Sequence, residues 1–198
     1  MKRFNFEDTY SLNELYGSIR ETGERLEKMM DIFGASDIRI ALKVFDSVRA
    51  MGDFLHISMR PWIKAVSFRN CIVFLQKCLW NEKEEKGYND ILIHEIAHCL
   101  VNKRYPNKLP VWLNEGIAMY FGEQLYNIKA SDCDLKPAEI SSLGYNTQEF
   151  YNYSILVMNA LLSIYSINEI LSLADDYKNF DQNGPLGADL IRKISFDN

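Results

Sequence analysis

Two histidines four residues apart are the strongest sign of chemistry in this sequence. His94 and His98 frame the segment HEIAH, and Glu95 follows the first of them directly. Four residues advance an α-helix by about 6 Å and slightly more than one turn, so both imidazoles leave the same side and can reach one metal ion. Glu95 lies about 100° around the helix from His94, where it can contact a water on the metal without becoming a ligand. The spacing predicts a metal site with a general base beside it.

The surroundings of this motif predict a buried helix from Tyr88 to Asn102. Apolar residues flank the polar trio: Ile91, Leu92, Ile93, Ile96, Ala97, Cys99, Leu100 and Val101. Unpaired polar groups are costly in such surroundings, and a bound metal would satisfy them. The chain has three histidines, and the third, His56, stands alone. A lone histidine is weak evidence for a ligand, so we expect His56 to be structural or exposed.

A catalytic zinc ion takes three protein ligands and leaves a fourth position for water, so a third ligand is expected downstream. The metzincin continuation fails because Val101 and Arg104 stand where its glycine and third histidine would be. Glu115 instead lies in the apolar segment LPVWLNEGIAMY, which predicts a second helix opened by Pro110. A buried carboxylate needs a cation or a metal, which favours Glu115 as the third ligand over a surface or salt-bridged carboxylate.

The segments HEIAHCLV and LPVWLNEGIAMYF resemble the gluzincin metallopeptidases. The resemblance is to the small peptidase MA-like group, in which HExxH is followed by PxWLxEGxA, and it covers residues 91–121. It implies zinc held by His94, His98 and Glu115, with Glu95 as general base and proton shuttle in peptide-bond hydrolysis. It also implies a zincin-like fold and a peptide or protein substrate.

This chain departs from the gluzincins at two points. Met119 stands where some members have an aspartate that orients a zinc histidine, and no histidine follows His98 to stabilise the transition state. The developing oxyanion needs a hydrogen-bond donor besides zinc. The family often has Tyr-x-x-Ser at the start of the helix behind the zinc site, which Tyr151 and Ser154 fit, so we expect Tyr151 to be that donor and Tyr153 to be the second choice. The alternative is that both rings only pack, as most aromatics at helical spacing do.

The elements around these residues predict an α+β fold. Hydrophobic periodicity indicates a helix, a strand, a helix and a hairpin, then mainly helices (residues 11–32, 38–45, 47–57, 65–68 with 71–76, and 88 onward). Because strands precede helices instead of alternating with them, the pattern favours α+β over a doubly wound fold. We expect one domain over residues 1–198, with a helix and sheet part (1–87), the zinc-site helices (88–126) and a helical part (127–198).

The segment Cys71 to Gln76 is the last strand before the histidine motif. In zincins an edge strand above the active helix pairs with the extended substrate, which predicts that role for this strand. Its continuous apolar run suits an interior strand buried on both sides equally well. The charged run NEKEEK at 81–86 is typical of a solvated loop.

Composition excludes several classes of protein. The 198 residues are 47% hydrophobic and 25% charged, as in an ordinary globular domain, which argues against disorder and fibrous repeats. A net charge of −5 gives no reason to expect nucleic acid or an anionic membrane as partner. The four cysteines form no CxxC pair and are expected to be reduced and to pack (Cys71, Cys78, Cys99 and Cys133). Without an apolar signal or membrane segment, a cytoplasmic location is expected.

Together these features predict a cytoplasmic zinc metallopeptidase. The nearest enzyme alternative is a regulatory protease like the ImmA/IrrE group, which cleaves a repressor. The alternative from another class is a zincin-shaped protein that binds zinc and cleaves nothing, against which the intact Glu95 argues. The sequence indicates neither the substrate side chains nor an oligomeric state.

Overall fold

The computed structural model of the chain describes residues 3–7, 12–59, 63–68, 70–80, 87–106, 109–126, 147–181 and 184–187. The chain divides into two compact units, Met1–Arg104 and Tyr105–Asn198. The described strands all lie in the first unit, and the described part of the second unit is helical. The fold is therefore α+β, as predicted.

The first unit contains a mixed sheet of four strands in the order β1-β2-β4-β3. Its strands are β1 (Arg3–Glu7), β2 (Asp37–Phe45), β3 (Ala65–Phe68) and β4 (Cys71–Leu75). β2 runs parallel to both β1 and β4, and β3 pairs antiparallel with β4. The three strands predicted over residues 38–45, 65–68 and 71–76 are confirmed, whereas β1 was not predicted. Because β1 and β2 are parallel neighbours joined through helices, strands and helices alternate here more than the sequence suggested.

Three helices join these strands: α1 (Leu12–Glu21), α2 (Gly23–Ile32) and α3 (Val48–Leu55). The single helix predicted over residues 11–32 is two helices, interrupted at Thr22. The Thr22 hydroxyl donates a 2.7 Å hydrogen bond to the carbonyl of Ser18, a back-bond that often bends helices. Ser11, the first residue of the predicted helix, lies outside the described residues.

The two faces of the sheet are covered by different helices. Along β2 the side chains alternate as predicted, with Ile38, Ile40, Leu42 and Val44 all buried. Phe74 of β4 contacts Tyr88, the first residue of α4 (Tyr88–Arg104), so one face packs against α4. On the other face, Val73 and Leu75 form a cluster with Met51 of α3. We call these the α4 side and the α3 side of the sheet.

Helix α3 is short and capped at both ends. The Ser47 hydroxyl accepts a 3.2 Å hydrogen bond from the backbone N–H of Ala50, which satisfies one of the orphan donors of the first turn. His56 ends the helix in the left-handed conformation with φ of 55°. It is exposed, which confirms the expectation of a structural or exposed position for this histidine.

The second unit contains α5 (Val111–Phe121), α6 (Gln148–Leu162) and α7 (Ile167–Ala174). Pro110 caps the start of α5, as the sequence predicted. Cys133 and the charged run at 81–86 lie outside the described residues. Within the described residues, no single helix is long and apolar enough to cross a membrane. Helices α6 and α7 have sufficient length and apolar composition only when they are taken together, and the chain bends by 106° between them.

Candidate metal centre

Helix α4 presents the histidine motif, and polar contacts hold it near both ends. At its start, Arg25 of α2 donates a 2.7 Å charge-assisted hydrogen bond to Asp90. At its end, the ammonium of Lys103 donates to the backbone carbonyl of Asp37 at 2.6 Å. Side chains at 92, 93 and 95–101 are all buried. These contacts position the helix against α2 and the sheet, and sequence reasoning missed them because the partners lie more than sixty residues apart.

The two imidazoles of the motif converge as the helical spacing predicts. The Nε2 atoms of His94 and His98 lie 3.0 Å apart, and the ring centroids are 4.6 Å apart with the planes at 86°. Two nitrogens bound to a tetrahedral zinc ion at about 2.0–2.1 Å lie about 3.3 Å from one another. Two nitrogens at this separation fit a shared ion after a shift of a few tenths of an ångström.

Glu115 is the third ligand that the sequence predicts, and it lies in α5 of the second unit. The Oε2 atom of Glu115 and the Nδ1 atom of His94 are buried. Two imidazole nitrogens with one carboxylate oxygen form a donor set that suits a catalytic zinc ion. The residues present therefore fit the metal that the sequence predicts.

Glu95 directly follows His94 in the same helix and lies about 100° around the helix from it. Its side chain is only 7% exposed, so the carboxylate is largely removed from bulk water. Burial, followed by the nearby charge of Glu95, raises the pKa of the Cys99 thiol to about 12. Cys99 is therefore a neutral, buried thiol that packs, as expected for it from the sequence.

The two candidate oxyanion donors occupy different positions on α6. Tyr153 is 4% exposed, and this burial raises its pKa to about 12. Tyr151 is half-buried. Seven residues separate Tyr151 from Met158, which places both within about 20° on one face of the helix, whereas Tyr153 is about 140° away from Met158.

The face that carries Tyr151 is the one that packs on α5. A Cβ atom at Gly116 would lie 3.0 Å from the Cβ of Met158, so the two helices are in close contact there. Gly116 directly follows Glu115 in α5. Tyr151 therefore lies on the face of α6 that contacts the helix of Glu115, which favours Tyr151 over Tyr153 as the oxyanion donor. Its role as the donor stays a prediction.

Ser154 has no exposed surface, and its hydroxyl donates a 2.9 Å hydrogen bond to the carbonyl of Phe150. This bond lies within a single turn of α6. Ser154 therefore contributes to the helix itself, and its place in the Tyr-x-x-Ser pattern adds no separate donor toward the ligand group.

The prediction that Cys71 to Gln76 is an edge strand is wrong. β4 is paired with β2 on one side and with β3 on the other, so its backbone is already hydrogen-bonded along both edges. Residues 72–75 are buried on both faces, which agrees with the interior alternative that its apolar run indicated. Among the described strands, β3 is the edge strand of this half of the sheet, and it packs against α4.

Comparison of the chain with models of protein families, with curated proteins and with solved structures found no match.

Proposed function

We propose that this protein is a zinc-dependent metallopeptidase of the gluzincin type. The observation that carries the proposal is the pair of imidazoles on α4, whose Nε2 atoms lie 3.0 Å apart, and Glu115 is the third ligand proposed from the sequence. The glutamate of the HExxH motif directly follows His94 and is buried. Three protein ligands with an adjacent carboxylate are what zinc-assisted hydrolysis of an amide requires.

Each of these residues has a distinct task in the proposed reaction. When bound, zinc lowers the pKa of a coordinated water to about 7 and polarises the carbonyl of the scissile bond. Glu95 accepts a proton from the attacking water and later donates it to the nitrogen of the leaving amine. Tyr151 donates a hydrogen bond to the oxyanion that forms at the carbonyl carbon. The net reaction consumes one water and yields a carboxylate and an amine.

The substrate backbone is proposed to lie along β3. Unpaired N–H and C=O groups at a sheet edge are a template for an additional strand, and main-chain hydrogen bonds of this kind give affinity without side-chain specificity. β3 is the edge strand that packs against α4. An extended peptide added there runs beside the helix that carries the histidines.

Metal analysis and peptide hydrolysis of three variants test this proposal. Glu115→Ala removes one of three ligands and is expected to weaken zinc binding by at least about tenfold to a hundredfold. Glu95→Gln keeps the shape but not the base, so zinc stays bound while hydrolysis of casein falls by about 10²-fold or more. Glu24→Gln, at an exposed position on α2, is the matched control and should resemble the parent in both measurements.

Two results would contradict the proposal in different ways. If Glu115→Ala binds zinc as tightly as the parent, the ligand assignment is wrong. If the parent binds zinc stoichiometrically but neither it nor any zinc-loaded preparation cleaves unfolded protein, the chain is a metal-binding protein and not a peptidase.

A further inference from the structure

The two faces of edge strand β3 differ in the size of their side chains. Ala65 and Ser67 are paired with Phe74 and Ile72 of β4, and because directly paired residues share a face, both small side chains lie on the α4 side. Small residues there let β3 approach α4 closely. They also offer little surface to the side chain of a neighbouring strand.

The α3 side of β3 carries two larger apolar residues. Val66 is paired with Val73 and packs against the cluster beneath α3. Phe68 is paired with Cys71, which packs against the same cluster, so Phe68 shares the face of Val66 two residues along the strand. The spacing of two is the repeat of a strand, so both side chains stand in one row along the edge.

Phe68 is 62% exposed, the largest exposed fraction of any large hydrophobic residue in the described ranges. Phe54 of α3 lies on the same side of the sheet and is 45% exposed. Phe68 stands at the edge itself, where a strand added to β3 would place a side chain directly against it. The exposed ring is therefore suited to contact with an added chain.

We propose that β3 selects extended peptides that carry apolar side chains at alternate positions, one over Val66 and one over Phe68. The selection rests on the proposed function, since it concerns peptides bound along β3 beside α4. A residue of an added strand lies on the same face as its direct partner, with Cβ atoms about 4.5–5.5 Å apart. The residue between the two apolar positions faces Ser67, the residue beside the one over Val66 faces Ala65, and neither is selected by this strand. The substrate class is thus unfolded chain with an apolar-x-apolar segment.

Two fluorescein-labelled ten-residue peptides of equal composition test the selection. Both have serine as the host residue; one carries leucine at positions i and i+2, the other at i and i+1. Only the first can place both leucines on the α3 side. One cross-strand contact between an aromatic and an aliphatic residue changes affinity by a factor of about 1.4–5. Fluorescence anisotropy with the Glu95→Gln protein, which is expected not to cut the probes, should show the i, i+2 peptide binding more tightly by that factor.

Substitution of Phe68 identifies the contact. Phe68→Ser should bring the ratio of the two dissociation constants to about one, because Val66 alone holds one leucine of either peptide. Ile164→Ser, which removes an exposed apolar side chain of the second unit that is 49% exposed, is the matched control and should keep the parental ratio. Hydrogen exchange should slow at residues 65–68 when the i, i+2 peptide binds.

The outcomes separate this inference from the proposed function. An unchanged ratio in Phe68→Ser, binding that protects other amides, or no binding of either peptide overturns the selection by β3, whether or not the parent hydrolyses casein. A ratio that depends on Phe68 supports the selection even if the parent proves unable to hydrolyse peptides, which would contradict only the proposed reaction.

Discussion

Replacing Gly116 with alanine perturbs the contact between α5 and α6 next to the candidate ligand Glu115. A Cβ atom at Gly116 would lie 3.0 Å from the Cβ and 3.3 Å from the Sδ of Met158. Carbon atoms in favourable contact are about 3.5–4.0 Å apart, so the new methyl is too close and its neighbour must move by a few tenths of an ångström. The Met158 Cβ is fixed to its own helix, so rotation of the side chain does not remove the overlap. We expect α5 to move away from α6 and to carry Glu115 with it.

Gly17, in the middle of α1, is the matched control because a Cβ atom there meets nothing within 4 Å. Alanine in a helix interior is more favourable than glycine by about 0.8–1.0 kcal/mol, so Gly17→Ala should raise the free energy of unfolding by that amount. Gly116→Ala gains the same propensity but is overpacked at a cost of about 1–3 kcal/mol. Its net effect is therefore between about zero and 2 kcal/mol of destabilisation.

Urea unfolding followed by circular dichroism measures both variants. A chelator is present throughout, because bound metal would add its own stabilisation to the folded state. The variants should differ by about 1–3 kcal/mol in the free energy of unfolding, with unchanged m-values. Zinc titration in the absence of chelator should show weaker binding for Gly116→Ala and parental binding for Gly17→Ala. If Gly116→Ala is stabilised as much as Gly17→Ala, the close packing of α5 on α6 described above is refuted.

Three further predictions concern single side chains. Tyr151→Phe should lower kcat by about 10²–10³ with KM nearly unchanged, whereas parental kcat would exclude Tyr151 as the oxyanion donor. Because burial raises the pKa of Tyr153 from 10 to about 12, the unfolded chain loses this proton first, and stability falls as pH rises from 10 to 12, by up to about 1.4 kcal/mol per pH unit. Tyr153→Phe should remove that part of the slope in alkaline urea unfolding, while Tyr165→Phe, at a half-buried position, should retain it. His56→Gly should raise the free energy of unfolding by about 0.5–1 kcal/mol, because glycine adopts the left-handed conformation at 56 without steric strain; an unchanged midpoint would argue against that strain.

Features set by neighbours along the chain could be predicted from sequence. The four-residue spacing of His94 and His98 brings their Nε2 atoms to 3.0 Å because the rotation per residue of a helix is constant. Alternation along β2 predicted which side chains are buried, since the repeat of a strand is two. Pro110 predicted the start of α5, because its fixed φ suits the first turn of a helix and its missing N–H costs nothing there.

Features that depend on distant partners were decided only by the tertiary structure. The apolar run of β4 suits an edge or an interior position, and pairing with both β2 and β3 made it interior and left β3 at the edge. The absence of a side chain at Gly116 matters because Met158, forty-two residues later in the sequence, packs directly against it. Hydrogen-bonded pairing and close packing join segments far apart in sequence, and periodicity within one segment carries no information about which other segment it meets.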